Sequence, residues 1–253
     1  MMQAKLFAAG KGTRLKPLTD TMPKAMVRVG GEPLVKRVID KLKASGVDRI
    51  VVNVHHFASQ ITDYLKENNN FDTDIRISDE TSRLLNTGGG IKKAAPLFDP
   101  SAPILIHNVD ILSNLDLRQF YNLALDEANG NMVDAVLLVS ERKTQRYFLF
   151  NDEMQLVGWT NLATGEVKSP WPDLKVENCR MLAFAGIHVF SPRLFNLMEQ
   201  WPDEFSIVDF YLAACAKRRI IGYAKSDLKL LDIGKLDTLS HAETFLKELK
   251  YET

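Results

Sequence analysis

Cysteine is scarce. The 253 residues contain two, Cys179 and Cys215, far apart and without metal-ligand spacing. That argues against a disulfide scaffold or a cysteine-held zinc, and fits two inert thiols in a reducing compartment. An excess of charge is missing too. Lysine and arginine total 32, and so do aspartate and glutamate. No basic face is therefore spread for a nucleic acid, and any anion site must be local. Apolar runs never approach the length of a membrane span. The opening MMQAKLFAAG is interrupted too soon for a secretory leader. The expected compartment is the cytoplasm, with no membrane partner. Repeats, low-complexity tracts and linkers are also lacking, and nothing in the sequence sets an oligomeric state.

What is present is an ordinary globular composition, 45% hydrophobic and 25% charged, enough for one large α/β domain over residues 1–253. Strand patterns occupy residues 4–8, 49–54, 74–78, 103–107 and 135–140. Helical spacing occupies 33–44, 57–66 and 115–127; the first of these has Pro33 at its start and Gly46 just past its end. Strands joined by single helices pair in parallel. The prediction is a doubly wound, mostly parallel, Rossmann-like sheet with ligands at the carboxyl ends of its strands. Beyond Ser140 the pattern loosens. Residues 146–150 and 155–158 predict a small antiparallel insertion, and 162–178 read as loops. A strand resumes at 183–190, helices follow near 192–200 and 207–217, and strands at 220–224 and 229–231. The last element, 236–249, is an amphipathic helix.

Directly after the first strand come Ala8-Ala9-Gly10-Lys11-Gly12-Thr13-Arg14. Gly10 and Gly12 let the backbone turn and approach a ligand without a Cβ in the way. Successive N–H groups in such a turn form an anion-binding concavity. Lys11, Arg14 and Lys24 add charge, arginine as a fork and lysine as a compact point charge. Two common phosphate motifs are excluded. The chain lacks G-x-x-x-x-G-K-[ST] here. The dinucleotide fingerprint lacks its third glycine, Leu15 standing in its place, and lacks an acid after the second strand, which ends in Asn53-Val54-His55-His56. A hydride-transferring dehydrogenase is disfavoured.

The longer run A-A-G-x-G-T-R-L-x-P-L-T, closely followed by Pro23-Lys24, resembles the signature of the sugar-1-phosphate nucleotidylyltransferases, and the resemblance extends over nearly the whole chain. It implies an enzyme whose partners are an NTP and a sugar-1-phosphate, with Mg2+ as cofactor and pyrophosphate as leaving group. Ala9, Gly10, Lys11, Gly12 and Thr13 are expected to cradle the NTP, and Arg14 and Lys24 to bind its phosphates. The attacking phosphate oxygen is already anionic, so no histidine or serine triad is needed. Catalysis then rests on positioning and charge neutralisation, with Arg14, Lys24 and Asp110 as catalytic residues.

Magnesium takes one or two carboxylates and completes its shell with phosphate oxygens and water. Asp110, in Asn108-Val109-Asp110, resembles the family's metal-binding N-G-D, with valine for glycine. Asp232, in Asp232-Ile233-Gly234, resembles its D-x-G, with Lys235 and Leu236 departing from Thr-Pro. Asn86-Thr87-Gly88-Gly89-Gly90 resembles an E-T-G-G-G segment and is most similar to short members acting on N-acetylmuramate-1-phosphate or mannose-1-phosphate. Thr87, Gly88 and Gly89 are expected at the base or ribose, as a glycine run whose backbone reaches a base edge. Asp79 and Glu80, just after a strand, read as solvated turn charges, with a place in the lining of the same pocket as the alternative. Gly186 is expected beside the sugar. The lysine of the E-K-P segment of larger members is absent, with Lys168, Lys175 and Arg180 as candidate replacements.

The resemblance divides the single domain into a nucleotide-binding part (1–140), a sugar-phosphate-binding part (141–235) and the C-terminal helix (236–249). Two alternatives stay open at this point. One is a cytidylyltransferase for a non-sugar phosphate such as phosphocholine. The other is a catalytically silent module that senses nucleotides or NDP-sugars.

Overall fold

In the computed structural model, which describes residues 1–125 and 132–250, the chain enters as a buried strand, β1 (Gln3–Phe7). After the first loop, β2 (Arg28–Val29) and β3 (Glu32–Pro33) form a short antiparallel pair. In α1 (Leu34–Ala44), Leu34, Val35, Val38, Ile39 and Leu42 recur at helical spacing and are buried, giving one apolar stripe. β4 (Arg49–Val54) pairs in parallel with β1. After α2 (Ala58–Glu67), β5 (Asp74–Asp79) pairs in parallel with β4. α3 (Asn86–Ala94) leads to β6 (Ile104–Asn108), parallel to β1 on its other side. The order β6–β1–β4–β5 is the doubly wound core that the alternating pattern predicts.

The second half builds differently. β7 (Ile111–Ser113) leaves the main sheet at once. α4 (Leu117–Asn122) is capped by Asp116, which accepts from the Gln119 N–H at 2.9 Å. It occupies part of the predicted 115–127, whose end lies outside the described residues. β8 (Ala135–Ser140) does not pair with β6. The antiparallel insertion comprises β9 (Arg146–Phe150), β10 (Leu156–Asn161) and β11 (Glu166–Lys168), the last inside the stretch expected to be loop. β12 (Arg180–Phe190) then runs antiparallel to both β6 and β8, and separates them.

This long strand pairs with β6 only over Ile187–Phe190 and with β9 over Arg180–Leu182. It therefore outruns the parallel core and ties the insertion to it. Between Phe184 and His188 its register against β8 shifts, and Gly186 takes φ 74° there, a backbone state that glycine adopts without penalty.

The predicted 192–200 helix is a short 3-10 turn followed by α5 (Phe195–Met198). α6 (Ile207–Ala214) is followed by β13 (Ile220–Ala224), parallel to β8. β14 (Leu230–Asp232) pairs antiparallel with β7, outside the main sheet. α7 (Leu236–Lys250) ends the described chain.

The main sheet has ten strands among the described residues. Leu6, Ile39, Leu105 and Leu138 belong to the apolar cluster on one side, Ile91, Ile106, Leu137 and Phe210 to the cluster on the other. Both faces being covered, the polar chemistry is left to the carboxyl edge.

Candidate active site

At that edge β1, β4 and β6 open into a cleft of about 690 Å3. One wall is the loop after β1: Ala9, Gly10, Lys11, Gly12, Thr13, Arg14 and Lys24 all line it. Gly12 sits at φ 62°, and a Cβ there would stand 2.8 Å from Thr19 Cγ2 and 3.1 Å from Lys24 Cβ. Its carbonyl accepts from the Leu15 N–H and from Thr19 Oγ1, each at 2.8 Å. Conformation and packing both require glycine, and the loop is folded onto itself rather than draped. Above Gly10 there is open space, where a ligand can meet bare backbone.

The second wall carries Asp110; Asp232, on the ribbon next to it, is outside the lining, although Gly234 is within it. Val109 donates its N–H to the Phe7 carbonyl at 3.1 Å, fixing the turn that carries Asp110. Ile233 donates to the Asp110 carbonyl at 2.8 Å, and Asp232 is opposite Ile111 in the β7–β14 pair. That ribbon brings together two aspartates that the sequence holds far apart. The Lys24 ammonium pairs with Asp110 Oδ2, both side chains being largely shielded. Asp232 Oδ1 is buried without a hydrogen-bond partner. Burial, and then the neighbouring Asp110, push the Asp232 carboxyl above its ordinary value; Lys24, Arg14 and Arg142 oppose the shift. Two hard oxygen donors, one of them unpartnered, suit a magnesium ion. Among the described residues no group of three or more His, Cys, Asp or Glu side chains could hold a metal, so such an ion would draw its remaining ligands from phosphate and water.

The third wall decides between the two readings of Glu80. Glu80 is not a solvated turn charge: it is fully buried and lines the cleft. Its Oε1 accepts from Asn53 Nδ2 at 2.8 Å and its Oε2 from the Leu85 N–H at 3.2 Å. Asp79 remains exposed. The same Asn53 accepts from the Ala8 and Ala9 N–H groups at 2.8 and 3.3 Å, and so holds the start of the glycine loop. Sequence reasoning missed Asn53, although a polar residue closing a β-branched strand at the ligand edge was the available signal.

The glycine run expected at the base or ribose falls inside α3. Asn86 and Thr87 line the cleft, whereas Gly88 and Gly89 are outside its lining. A Cβ on Gly88 would fall 2.3 Å from the Phe205 ring, and one on Gly89 only 1.9 Å from the Asp203 carbonyl oxygen. These glycines let the helix lie against the segment before α6, where Phe205 O accepts from both of their N–H groups.

The profile of the nucleotidyl transferase family matches residues 4–248. The chain belongs to that family. An N-acetylmuramate α-1-phosphate uridylyltransferase of Neisseria meningitidis is 37% identical over 96% of this chain and 97% of its own. One from Caulobacter vibrioides is 30% identical over 89% of each. In fold, the transferase is similar to HddC from Yersinia pseudotuberculosis, with a TM-score of 0.74 at 22% identity over 97% of this chain and 100% of that one. The enzyme class implied by the first loop stands, and neither the phosphocholine reading nor the silent module finds support in these relatives.

The remaining expected positions of the nucleotidyltransferase divide. Gly186 packs against the cleft-lining Asn108: a Cβ would stand 2.5 Å from Asn108 Nδ2. Lys168 is bound to Asp209 at 3.1 Å and lies over the Trp159 ring. Lys175 and Arg180 are exposed, and none of these three cations lines the cleft.

Proposed function

We propose that this nucleotidyltransferase transfers a uridylyl group from UTP to N-acetylmuramate 1-phosphate, with Mg2+, in the cytoplasm. The choice of base and sugar is supported by the two uridylyltransferases matched over most of their length. The chemistry is supported by one arrangement above all, Asp110 paired with Lys24 on the cleft wall that faces the glycine loop, with Asp232 brought next to that turn by the β7–β14 ribbon. Among the described residues no helix is long and apolar enough to cross a membrane, and both cysteines are free thiols.

The proposed division of labour follows the fold. Residues 1–140 hold the nucleotide: loop amides from Gly10 to Thr13, with Arg14, bind the triphosphate, and Lys24, oriented by Asp110, offsets its charge. Asn86 and Thr87 at the start of α3 face the nucleoside end. Residues 141–235 hold the acceptor, with Gly186 leaving room beside Asn108. Asp110 and Asp232 are the residues that would hold Mg2+, which when bound supplies neutralisation of phosphate charge. The acceptor phosphate is ionised at neutral pH, so its oxygen forms the new bond to the α-phosphorus as the bond to pyrophosphate breaks. No proton need be removed and no enzyme-bound covalent species forms.

The test is pyrophosphate release with Mg2+ from UTP, GTP, CTP, ATP and dTTP against N-acetylmuramate 1-phosphate, mannose 1-phosphate, glucose 1-phosphate and phosphocholine. Turnover peaking with UTP and the first acceptor is expected. A peak elsewhere overturns the substrate assignment, and silence throughout overturns the reaction.

A further inference from the structure

Glu80 is the first residue after β5 and stands at the head of a tight turn. Its N–H donates to the Val54 carbonyl at 2.8 Å, and its own carbonyl accepts from the Arg83 N–H at 3.0 Å. The side chain is fully buried and lines the cleft, and its two oxygens divide between two elements. Oε1 accepts from the Asn53 amide, whose Oδ1 accepts in turn from the Ala8 and Ala9 N–H groups where the glycine loop begins. Oε2 accepts from the Leu85 N–H, one residue before α3 presents Asn86 and Thr87. One carboxylate thus tethers the phosphate wall and the nucleoside wall at once.

The third glycine of the run serves this arrangement. A Cβ on Gly90 would stand 2.9 Å from Glu80 Oε1 and 3.7 Å from Asn53 Nδ2. Gly88 and Gly89 instead face Phe205 and Asp203.

The direction of the Asn53 amide is what the carboxylate decides. The Ala8 and Ala9 N–H groups are donors, so only the carbonyl end of Asn53 can face them. A carboxylate has acceptors alone, and therefore takes the NH2 end. The reverse orientation would set NH2 against two N–H groups and Oδ1 against Oε1, leaving buried polar groups unpaired. Lys5, buried on β1, is a cation whose charged form Glu80 favours, yet its ammonium has no hydrogen-bond partner and leaves both Glu80 oxygens to the amides. With Ala8 and Ala9 committed to Asn53, the loop turns away at Gly10, above which the space is open.

We infer that Glu80 is a positioning residue for the nucleotide: through Asn53 and the Leu85 amide it holds the phosphate loop and the start of α3 at the spacing of one bound NTP. It acts through these partners, not on the reacting atoms. This rests on the nucleotidyltransferase reading proposed above.

A pair exchange tests it. Glu80→Gln keeps the shape but turns an NH2 toward either Asn53 Nδ2 or the Leu85 N–H. Asn53→Asp sets a second carboxylate oxygen against Glu80 Oε1. In the double variant Asn53→Asp/Glu80→Gln, the carboxylate at position 53 accepts from Ala8, Ala9 and the amide at position 80, whose oxygen still takes the Leu85 N–H. Hydrogen bonds and net charge are both restored.

Steady-state kinetics, with nucleotide and acceptor varied separately, are run beside calorimetric titration with the nucleotide alone, at a temperature where melting curves show each variant folded. The nucleotide is UTP, or whichever of the five in the panel wild type binds. Each single variant should raise the KM and Kd of the nucleotide roughly tenfold or more, with the acceptor KM within about twofold. The double variant should recover most of the loss. Should Glu80→Gln fail to fold, Gly90→Ala, which crowds Glu80 Oε1 with both partners present, should weaken the nucleotide in the same way. Single variants that melt earlier yet bind the nucleotide as wild type does would make Glu80 purely structural and overturn the inference. A double variant no better than the singles overturns it too. Wild type that binds a nucleotide but turns over no pair overturns the reaction alone, because the titration still decides on Glu80. Wild type that binds none of the five overturns both.

Discussion

Asp232 lies opposite Ile111 in the β7–β14 ribbon, beside Asp110, whose main-chain carbonyl the next residue Ile233 holds at 2.8 Å. Burial and the neighbouring Asp110 disfavour the charged form of Asp232, whose Oδ1 is buried and unpartnered, and the cations around it, Lys24 first, offset this only in part. The free protein gives up stability to keep the pair.

Removing one charge should therefore separate stability from turnover. Asp232→Asn is expected to raise the thermal stability of the free protein by about 1 kcal/mol, roughly 2–4 °C in Tm for a chain of this size. It should lower kcat by roughly 100-fold or more and abolish the response to added Mg2+. Calorimetric melting beside a pyrophosphate assay checks both. A variant less stable than wild type and still responsive to Mg2+ would refute the account.

Gly12→Ala tests the loop. Alanine at φ 62° costs roughly 1–2 kcal/mol, and its Cβ would press on Thr19 and Lys24. The expected result is a KM for the nucleotide raised roughly tenfold, with a folded protein by circular dichroism. Titration of UTP by calorimetry gives the same answer without turnover.

Gly89→Ala should run against the usual rule. In a helix interior that exchange ordinarily stabilises by about 0.5–1 kcal/mol. Here the Cβ would meet the Asp203 main chain, and overpacking of this sort costs about 1–3 kcal/mol. Urea unfolding should show the loss. Because Gly89 is outside the cleft lining, the KM for the nucleotide should move less than in Gly12→Ala.

Lys5 supplies a pH dependence. It is fully buried on β1, its Nζ has no hydrogen-bond partner and it lies 4.9 Å from the centre of the Phe7 ring. Burial lowers its pKa from 10.5 to about 8, against the opposing pull of Glu80. The folded protein therefore holds the Lys5 proton less tightly than the unfolded chain does. The destabilisation is full below about pH 8 and is relieved as pH rises toward 10.5. Lys5→Met should be more stable than wild type at pH 7, by on the order of 3 kcal/mol. The difference should shrink between pH 8 and 10.5. Lys41, also lowered to about 8, is common to both proteins and cancels in the comparison. A pH-independent difference in urea unfolding would show that burial leaves the Lys5 pKa where the unfolded chain has it, and would refute the account.

The sequence by itself determined what local chemistry can specify. The parallel pairing of β1, β4, β5 and β6 follows from alternating strand and helix periods. The character of the first loop follows from glycines whose conformational freedom is a property of the residue, with Gly12 at positive φ as the structure has it. The place of Asp110 was legible because it lies two residues past a buried strand, at the ligand edge, in a segment that resembles the family's N-G-D.

Contacts between distant segments belong to the tertiary structure. The ribbon that sets Asp232 beside Asp110 joins two three-residue strands with no periodicity of their own. Glu80 is buried because Asn53 and the Leu85 amide satisfy it, a pairing invisible to a reading that takes an acid after a strand as solvated. The triple glycine carries no helical signal of its own, glycine being a poor helix former. Packing against Phe205 and Asp203 makes it a helix. The place of Gly186 against Asn108 depends on how β12 pairs with β6 and β8, and strand register is decided by the faces that pair, not by the residues of either strand alone.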